Sequence, residues 1–214
     1  MKNKKMAWAI MLLAAFIGWT AAVLLVDVQP MGPNGSAVGF AALNGWFHSV
    51  TGMHWALYTL TDWLSIVPAA VCAGFGCLGF WQWVKRKSIA NVDKDILLLG
   101  AFYLAVIGAY LFFENYAVNC RPVLVEGVLE TSYPSSTTLL VLCVMPAAML
   151  QWKRRIRHGV LRKRVLWAAA LFTAGMFAGR LISGVHWLSD IIGGILLSAG
   201  LVLGYAGLAF PKRQ

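Results

Sequence analysis

The chain has 214 residues, of which 60% are hydrophobic and 12% charged, with a formal net charge of +10. Those proportions exclude an ordinary water-soluble domain, and apolar runs recur along the whole length, leaving no room for a separate soluble unit. The expected class is an all-α integral membrane protein, a six-transmembrane-helix bundle forming a single membrane-embedded domain over residues 1–214.

A helix needs about 20 apolar residues to cross roughly 30 Å of hydrocarbon. Six stretches qualify, at about 7–26, 57–84, 95–117, 134–152, 165–183 and 187–209. The first is read as an anchor and not a cleaved signal peptide, because it exceeds a signal core and no small-x-small site precedes Asp27. After it come the turn-forming residues Gln29 to Ser36, then Val38 to Val50. There Phe40, Leu43, Trp46, Phe47 and Val50 keep helical spacing, which predicts an interfacial helix in the first outer loop. His48 and His54 accompany Trp46 and Trp55 and suit the headgroup level; no carboxylate pair or cysteine completes a metal-ligand set.

Charge sets the expected orientation. All Lys and Arg residues but two fall in four places: Lys2 to Lys5, Lys85 to Lys94, Lys153 to Arg164, and Lys212 with Arg213. These alternate with the spans, so the positive-inside rule puts all four, and both termini, in the cytoplasm. Such a distribution reflects topology and does not describe a nucleic-acid surface. The two exceptions, Arg121 and Arg180, then lie at the outer ends of spans, where anion binding is the natural reading. Cys72, Cys77 and Cys143 sit within spans and Cys120 near the outer surface, which indicates no disulfide framework. Gly175 and Gly179, Gly193 and Gly194, and Gly200 and Gly204 are spaced for close helix packing.

Three outer segments converge in this topology: Asn119-Cys120-Arg121-Pro122, Tyr133-Pro134-Ser135-Ser136-Thr137, and Arg180 to Asp190. Together they describe a phosphate pocket. Pro134 suits a first helical position, and Ser135, Ser136 and Thr137 offer backbone N–H groups and hydroxyls at the positive end of a helix. Arg121 and Arg180 add forked cationic donors. Asp190, one turn from His186, is placed to keep one ring nitrogen protonated and leave the other free to attack phosphorus. The plainer alternative is an interfacial ion-pair cluster that only fixes packing.

These residues resemble the type 2 phosphatidic acid phosphatase/haloperoxidase superfamily. Its signature is Lys, six residues, Arg-Pro; then Pro-Ser-Gly-His; then Ser-Arg, five residues, His, three residues, Asp. Arg180, His186 and Asp190 keep the third spacing, with Gly179 in place of Ser; Arg121-Pro122 ends the first motif and Pro134-Ser135 begins the second. The resemblance implies His186 as nucleophile, Asp190 as its orienter, Arg121, Ser135 and Arg180 as phosphate ligands, and a phosphohistidine intermediate. Two positions depart. Glu114 stands where the family has Lys, and Ser136-Thr137 where it has Gly-His, the residue that protonates the leaving oxygen.

General acid catalysis is worth about 10²–10⁴-fold, so the missing histidine predicts a substrate whose leaving group is a weak base. A lipid diphosphate such as a polyprenyl diphosphate fits better than a phosphatidate. Glu130 and Glu126 are candidates for a substitute acid, against the plainer reading of solvated loop carboxylates, and Glu114 either orients Arg121 or lies on another face. The expectation is a phosphatase of membrane lipid phosphates or diphosphates in the bacterial cytoplasmic membrane, its site facing outward. The alternative is a family member that binds, senses or transports a lipid phosphate without turnover. No cofactor, metal, nucleic acid or obligate protein partner is expected, and haloperoxidase chemistry resembles relatives that keep the Lys and His missing here.

Overall fold

The computed structural model describes residues 4–211; Lys2, Lys212 and Arg213 of the terminal basic segments lie outside the described residues. Eight α-helices are present among the described residues: α1 (Lys4–Leu25), α2 (Ala41–Thr51), α3 (Trp55–Leu64), α4 (Ile66–Arg86), α5 (Lys94–Asn115), α6 (Ser136–Arg155), α7 (Gly159–Ile182) and α8 (Leu188–Ala209). Five units are long and apolar enough to cross a membrane: α1, α3 with α4, α5, α7 and α8. The expected fourth span, 134–152, is α6, which falls short of the apolar content of the others. Its first turn is Ser136-Thr137-Thr138 and its last Gln151 to Arg155. Its sequence is more polar because its surroundings are protein: α6 packs against α4, α5, α7 and α8, and ten of its residues are buried.

Two boundaries differ from expectation for local reasons. The stretch expected as one span over 57–84 is divided at Ser65, three residues before Pro68. Pro68 cannot donate to the Leu64 carbonyl, and its ring would crowd that group, so the helix ends and restarts. The basic stretch Lys153 to Arg164, expected as a loop, is helical except at residues 156–158. Lys153, Arg154 and Arg155 suit the negative end of α6, while His158 caps α7 by accepting from the Leu161 N–H at 3.2 Å. A helix is present where one was expected within Val38 to Val50: it is α2, and it packs on α8.

The two ends of the bundle have different chemistry. At one end Arg155 reaches both Asp93 and Asp95 at 3.1 Å, and Arg86 pairs with Asp93 at 2.9 Å, tying α4, α5 and α6 together. Lys5 donates to the Phe210 carbonyl at 3.3 Å, and Arg154 lies over the Phe210 ring at 5.9 Å, so the described parts of the first three basic segments gather there. The opposite end carries α2, the long connection 116–135 and the turn between α7 and α8. Helix packing depends on small residues: near that end a side chain at Gly193 would strike the Tyr133 ring, and deeper in the bundle one at Gly200 would strike Leu13. Gly175, by contrast, faces open space.

Candidate active site

The connection from α5 to α6 turns back on itself. Cys120 bridges Thr131, Val125 bridges Val128, and Glu126-Gly127 take left-handed φ of 50° and 78°, the geometry of a type I′ hairpin turn. That register sets Arg121 against Glu130: the Arg121 N–H donates to the Glu130 carbonyl at 3.0 Å, and Nε lies 3.0 Å from Oε2. Glu126 sits at the exposed turn. Arg121 is 91% buried and its Nη1 has no hydrogen-bond partner.

His186 occupies the short turn between α7 and α8. The turn is pinned by a hydrogen bond from the His54 N–H to the Ser183 carbonyl at 2.9 Å and by Gly184 at φ +74°. A Cβ at Gly184 would collide with the Gly52 carbonyl. Gly184→Ala is therefore expected to cost at least about 1–3 kcal/mol, read as a fall in the thermal midpoint of the purified protein. Nδ1 of His186 lies 3.1 Å from the Ser132 carbonyl, an oxygen that only accepts, so Nδ1 carries the proton and Nε2 holds the lone pair. Nε2 is buried without a partner, although His186 lines an open cavity. Burial first, then the positive charges of Arg121 and Arg180, hold the imidazole pKa well below its ordinary 6.5.

Asp190 lies behind the imidazole but does not hydrogen-bond to it: Oδ2 is 4.0 Å from Nδ1. Its oxygens accept instead from Ser132 Oγ at 2.7 Å, the Trp187 N–H at 2.9 Å and Asn119 Nδ2 at 3.1 Å. The bond to Trp187 is half of a capping box that starts α8. The others run into a buried network in which Ser189 Oγ accepts from Asn44 Nδ2 at 2.9 Å and from Asn119 Nδ2 at 3.2 Å. Thus Asp190 places Ser132, whose carbonyl in turn fixes the ring. Sequence reasoning passed over Ser132, Asn44 and Ser189. The available signal was that three small polar residues stand close to otherwise apolar helices, where each needs a partner.

Arg180 is 98% buried and donates from Nη2 to Thr137 Oγ1 at 2.6 Å and to Asp62 at 3.3 Å. The Tyr58 ring lies beneath both guanidinium groups, 4.9 Å from Arg180 and 5.8 Å from Arg121. Tyr58 and Asp62, one turn apart on α3, were not singled out from sequence. Ser135 is the N-cap of α6, is fully buried, and gives its N–H to the Asp190 carbonyl at 3.4 Å. Ser136 and Thr137 form the first turn, and Pro134 lies before the cap, not at the first helical position.

The cavity has a volume of about 310 Å³ and is walled by Arg121, His186, Pro134 and Ser136 together with Glu114, Glu130, Tyr110 and Phe113. Arg180 and Ser135 stand outside this lining. Thr137 opens instead into an adjoining apolar space of about 350 Å³ that shares Tyr110, Ser136 and Leu139 with the first. Glu126 lines neither cavity. Among the described residues no group of three or more His, Cys, Asp or Glu is placed to hold a metal ion.

No family model and no curated protein sequence matches the chain. The structure is similar to the crystal structure of a transmembrane PAP2-type phosphatidylglycerolphosphate phosphatase from Bacillus subtilis, at a TM-score of 0.50 over 96% of this chain and 98% of that one. The chain has the fold of a transmembrane PAP2-type phosphatase. Sequence identity to that structure is 19%, so the likeness concerns the PAP2-type fold, and the chemistry rests on the site itself. The resemblance carried by Arg121-Pro122, Pro134-Ser135 and Arg180 to Asp190 names the same superfamily as this fold.

Proposed function

We propose that the protein is a membrane lipid phosphatase of the PAP2 type in which His186 attacks the phosphoryl group. The observation that carries this reading is the buried, unpartnered Nε2 of His186 sharing one cavity with the unpartnered Nη1 of Arg121. An unpaired donor and an unpaired nucleophile on two residues lining one cavity both call for a ligand, and a phosphoryl group satisfies both. Arg121 binds an equatorial oxygen, while Ser136 and the first turn of α6 present the positive end of a helix. Arg180 acts from behind through Thr137.

In this scheme Nε2 forms a bond to phosphorus as the bond from phosphorus to the leaving oxygen breaks. The imidazole charge that develops is steadied by the Ser132 carbonyl on Nδ1, with Asp190 behind it. Water then attacks the phosphohistidine, releasing phosphate and restoring the ring. The leaving oxygen takes its proton from the cavity, where Glu114 and Glu130 are the carboxyl groups in the wall. With Ser136-Thr137 in place of Gly-His, a leaving group of low basicity remains favoured, as in a lipid diphosphate.

Six spans follow if α6 is counted with the five apolar units. The positive-inside rule then puts the basic end of the bundle in the cytoplasm and the cavity at the outer face. Phosphate release from a panel of lipid monophosphates and diphosphates by the purified protein tests the reading, and failure with every lipid would contradict it. The depressed imidazole pKa adds a pH signature. His186 stays neutral, and so nucleophilic, as the pH falls through 6.5. kcat/KM is therefore expected to hold between about pH 8 and 6.5 and to fall only in more acid solution; a loss centred on the ordinary histidine value would oppose the assignment.

A further inference from the structure

One aromatic ring from outside the three outer segments is shared by both arginines of the site. The centroid of the Tyr58 ring lies 4.9 Å from the guanidinium carbon of Arg180 and 5.8 Å from that of Arg121, each within the range at which a ring face attracts a cation. Two buried guanidinium groups gathered on one ring also repel each other, with little water to screen them. Arg180 is tied down through both ends of its fork: Nη1 donates to the Tyr58 carbonyl and to Thr61 Oγ1, each at 3.4 Å, and Nη2 to Asp62 and Thr137. The Arg121 guanidinium has fewer ties, since Nε lies beside Glu130 at 3.0 Å and Nη1 is without a partner. A departure from the superfamily signature accounts for the nearness of α3. Gly179 stands where the signature has Ser, and a Cβ there would come within 2.7 Å of the Thr61 methyl. The missing side chain lets α3 close on α7 and brings Tyr58, Thr61 and Asp62 to Arg180 together.

Resting on the phosphatase reading, we propose that Tyr58 is a positioning residue for phosphate binding: its ring offsets the repulsion between the two arginines and holds the Arg121 guanidinium ready for the phosphoryl group, with Gly179 the small residue that admits α3 to the site. Tyr58 lines neither cavity and acts through Arg121, the one Lys or Arg in the cavity wall among the described residues. Without the ring, Arg121 is left between the pull of Glu130 and the repulsion of Arg180, and phosphate must compete with the carboxylate for it.

The test measures binding of inorganic phosphate to the full-length protein in detergent by titration calorimetry, with KM and kcat for farnesyl diphosphate in parallel. Position 58 is filled in turn by Tyr, Phe, Phe carrying one, two or three ring fluorines, and Leu. Fluorine drains negative charge from the ring face while barely changing its size, so packing is kept as the attraction for a cation is lost stepwise. Tyr58→Phe is expected to bind phosphate within about twofold of the unaltered protein, and the trifluorinated ring and Tyr58→Leu about tenfold more weakly, with the other rings between. KM is expected to rise in step while kcat stays within about threefold. Gly179→Ser, which crowds Thr61, is expected to weaken phosphate binding about tenfold, and adding Thr61→Ser, which removes the obstructing methyl and keeps the hydroxyl, to restore most of it. A ring that only packs α3 would give one affinity across the fluorinated series. That result, or undiminished phosphate binding by Gly179→Ser, overturns the proposal. Lipid turnover with a flat fluorine series leaves the phosphatase reading intact and removes this one; phosphate affinity that follows fluorination without lipid turnover does the reverse; and neither binding nor turnover in the unaltered protein removes both.

Discussion

His186→Ala is expected to lower phosphate release by at least about 10³-fold, because in the proposed scheme it removes the attacking nitrogen and not merely a binding contact. The side chain lines the cavity and is buried, with Nδ1 hydrogen-bonded to the Ser132 carbonyl and Nε2 without a hydrogen-bond partner. Folding should therefore survive, with the thermal midpoint changed by a few degrees at most. Binding should also survive, since Arg121 and the start of α6 remain. A mutant that binds a lipid phosphate as well as the parent but does not turn it over is the pattern of a lost nucleophile. If the parent itself binds and never releases phosphate, the protein belongs to the binding and sensing class.

Asp190→Ala is expected to be the most damaging single change for stability. The carboxylate is fully buried and accepts from Ser132, Trp187 and Asn119, so truncation strands three buried donors and opens the start of α8. Removing one partner from such a network costs about 3–5 kcal/mol. Activity falls with it, since Ser132 is the residue that fixes the imidazole. Asp190→Asn keeps the shape and one acceptor oxygen, and is expected to lose about 2 kcal/mol. Denaturant titration of the three proteins, with release rates normalised to folded fraction, separates the structural loss from the catalytic one. Equal stability of all three would mean that the network does not hold the site together.

The helices were legible where composition alone decides them. The spans over α1 and α5 follow from apolar runs whose residues are mostly exposed, and that over α8 from an apolar run although eleven of its residues are buried. α6 was harder, because a helix enclosed by other helices needs no lipid-compatible surface and tolerates Thr137, Thr138 and Gln151. In the site, Arg121, Arg180, His186 and Asp190 could be found because charge in an apolar chain is expensive and their spacing is regular. Their true partners could not. Asp190 at i,i+4 looked like the partner of the imidazole, but the capping box at Trp187 turns its carboxylate toward backbone and Ser132. The link from Arg121 to Glu130 depends on a hairpin that only the Glu126-Gly127 turn announces. Tyr58 and Asp62 come from a helix far away in sequence, for which one chain holds no local signal.

The central claim is that phosphorus passes through Nε2 of His186. Rapid acid-free quenching of the protein with a lipid phosphate labelled in the phosphoryl group, followed by peptide mapping, tests it directly. The expected result is one acid-labile, base-stable phosphoryl group on the peptide containing residue 186, absent from His186→Ala. Phosphate release at an undiminished rate by that mutant, or label on any other residue, would contradict it.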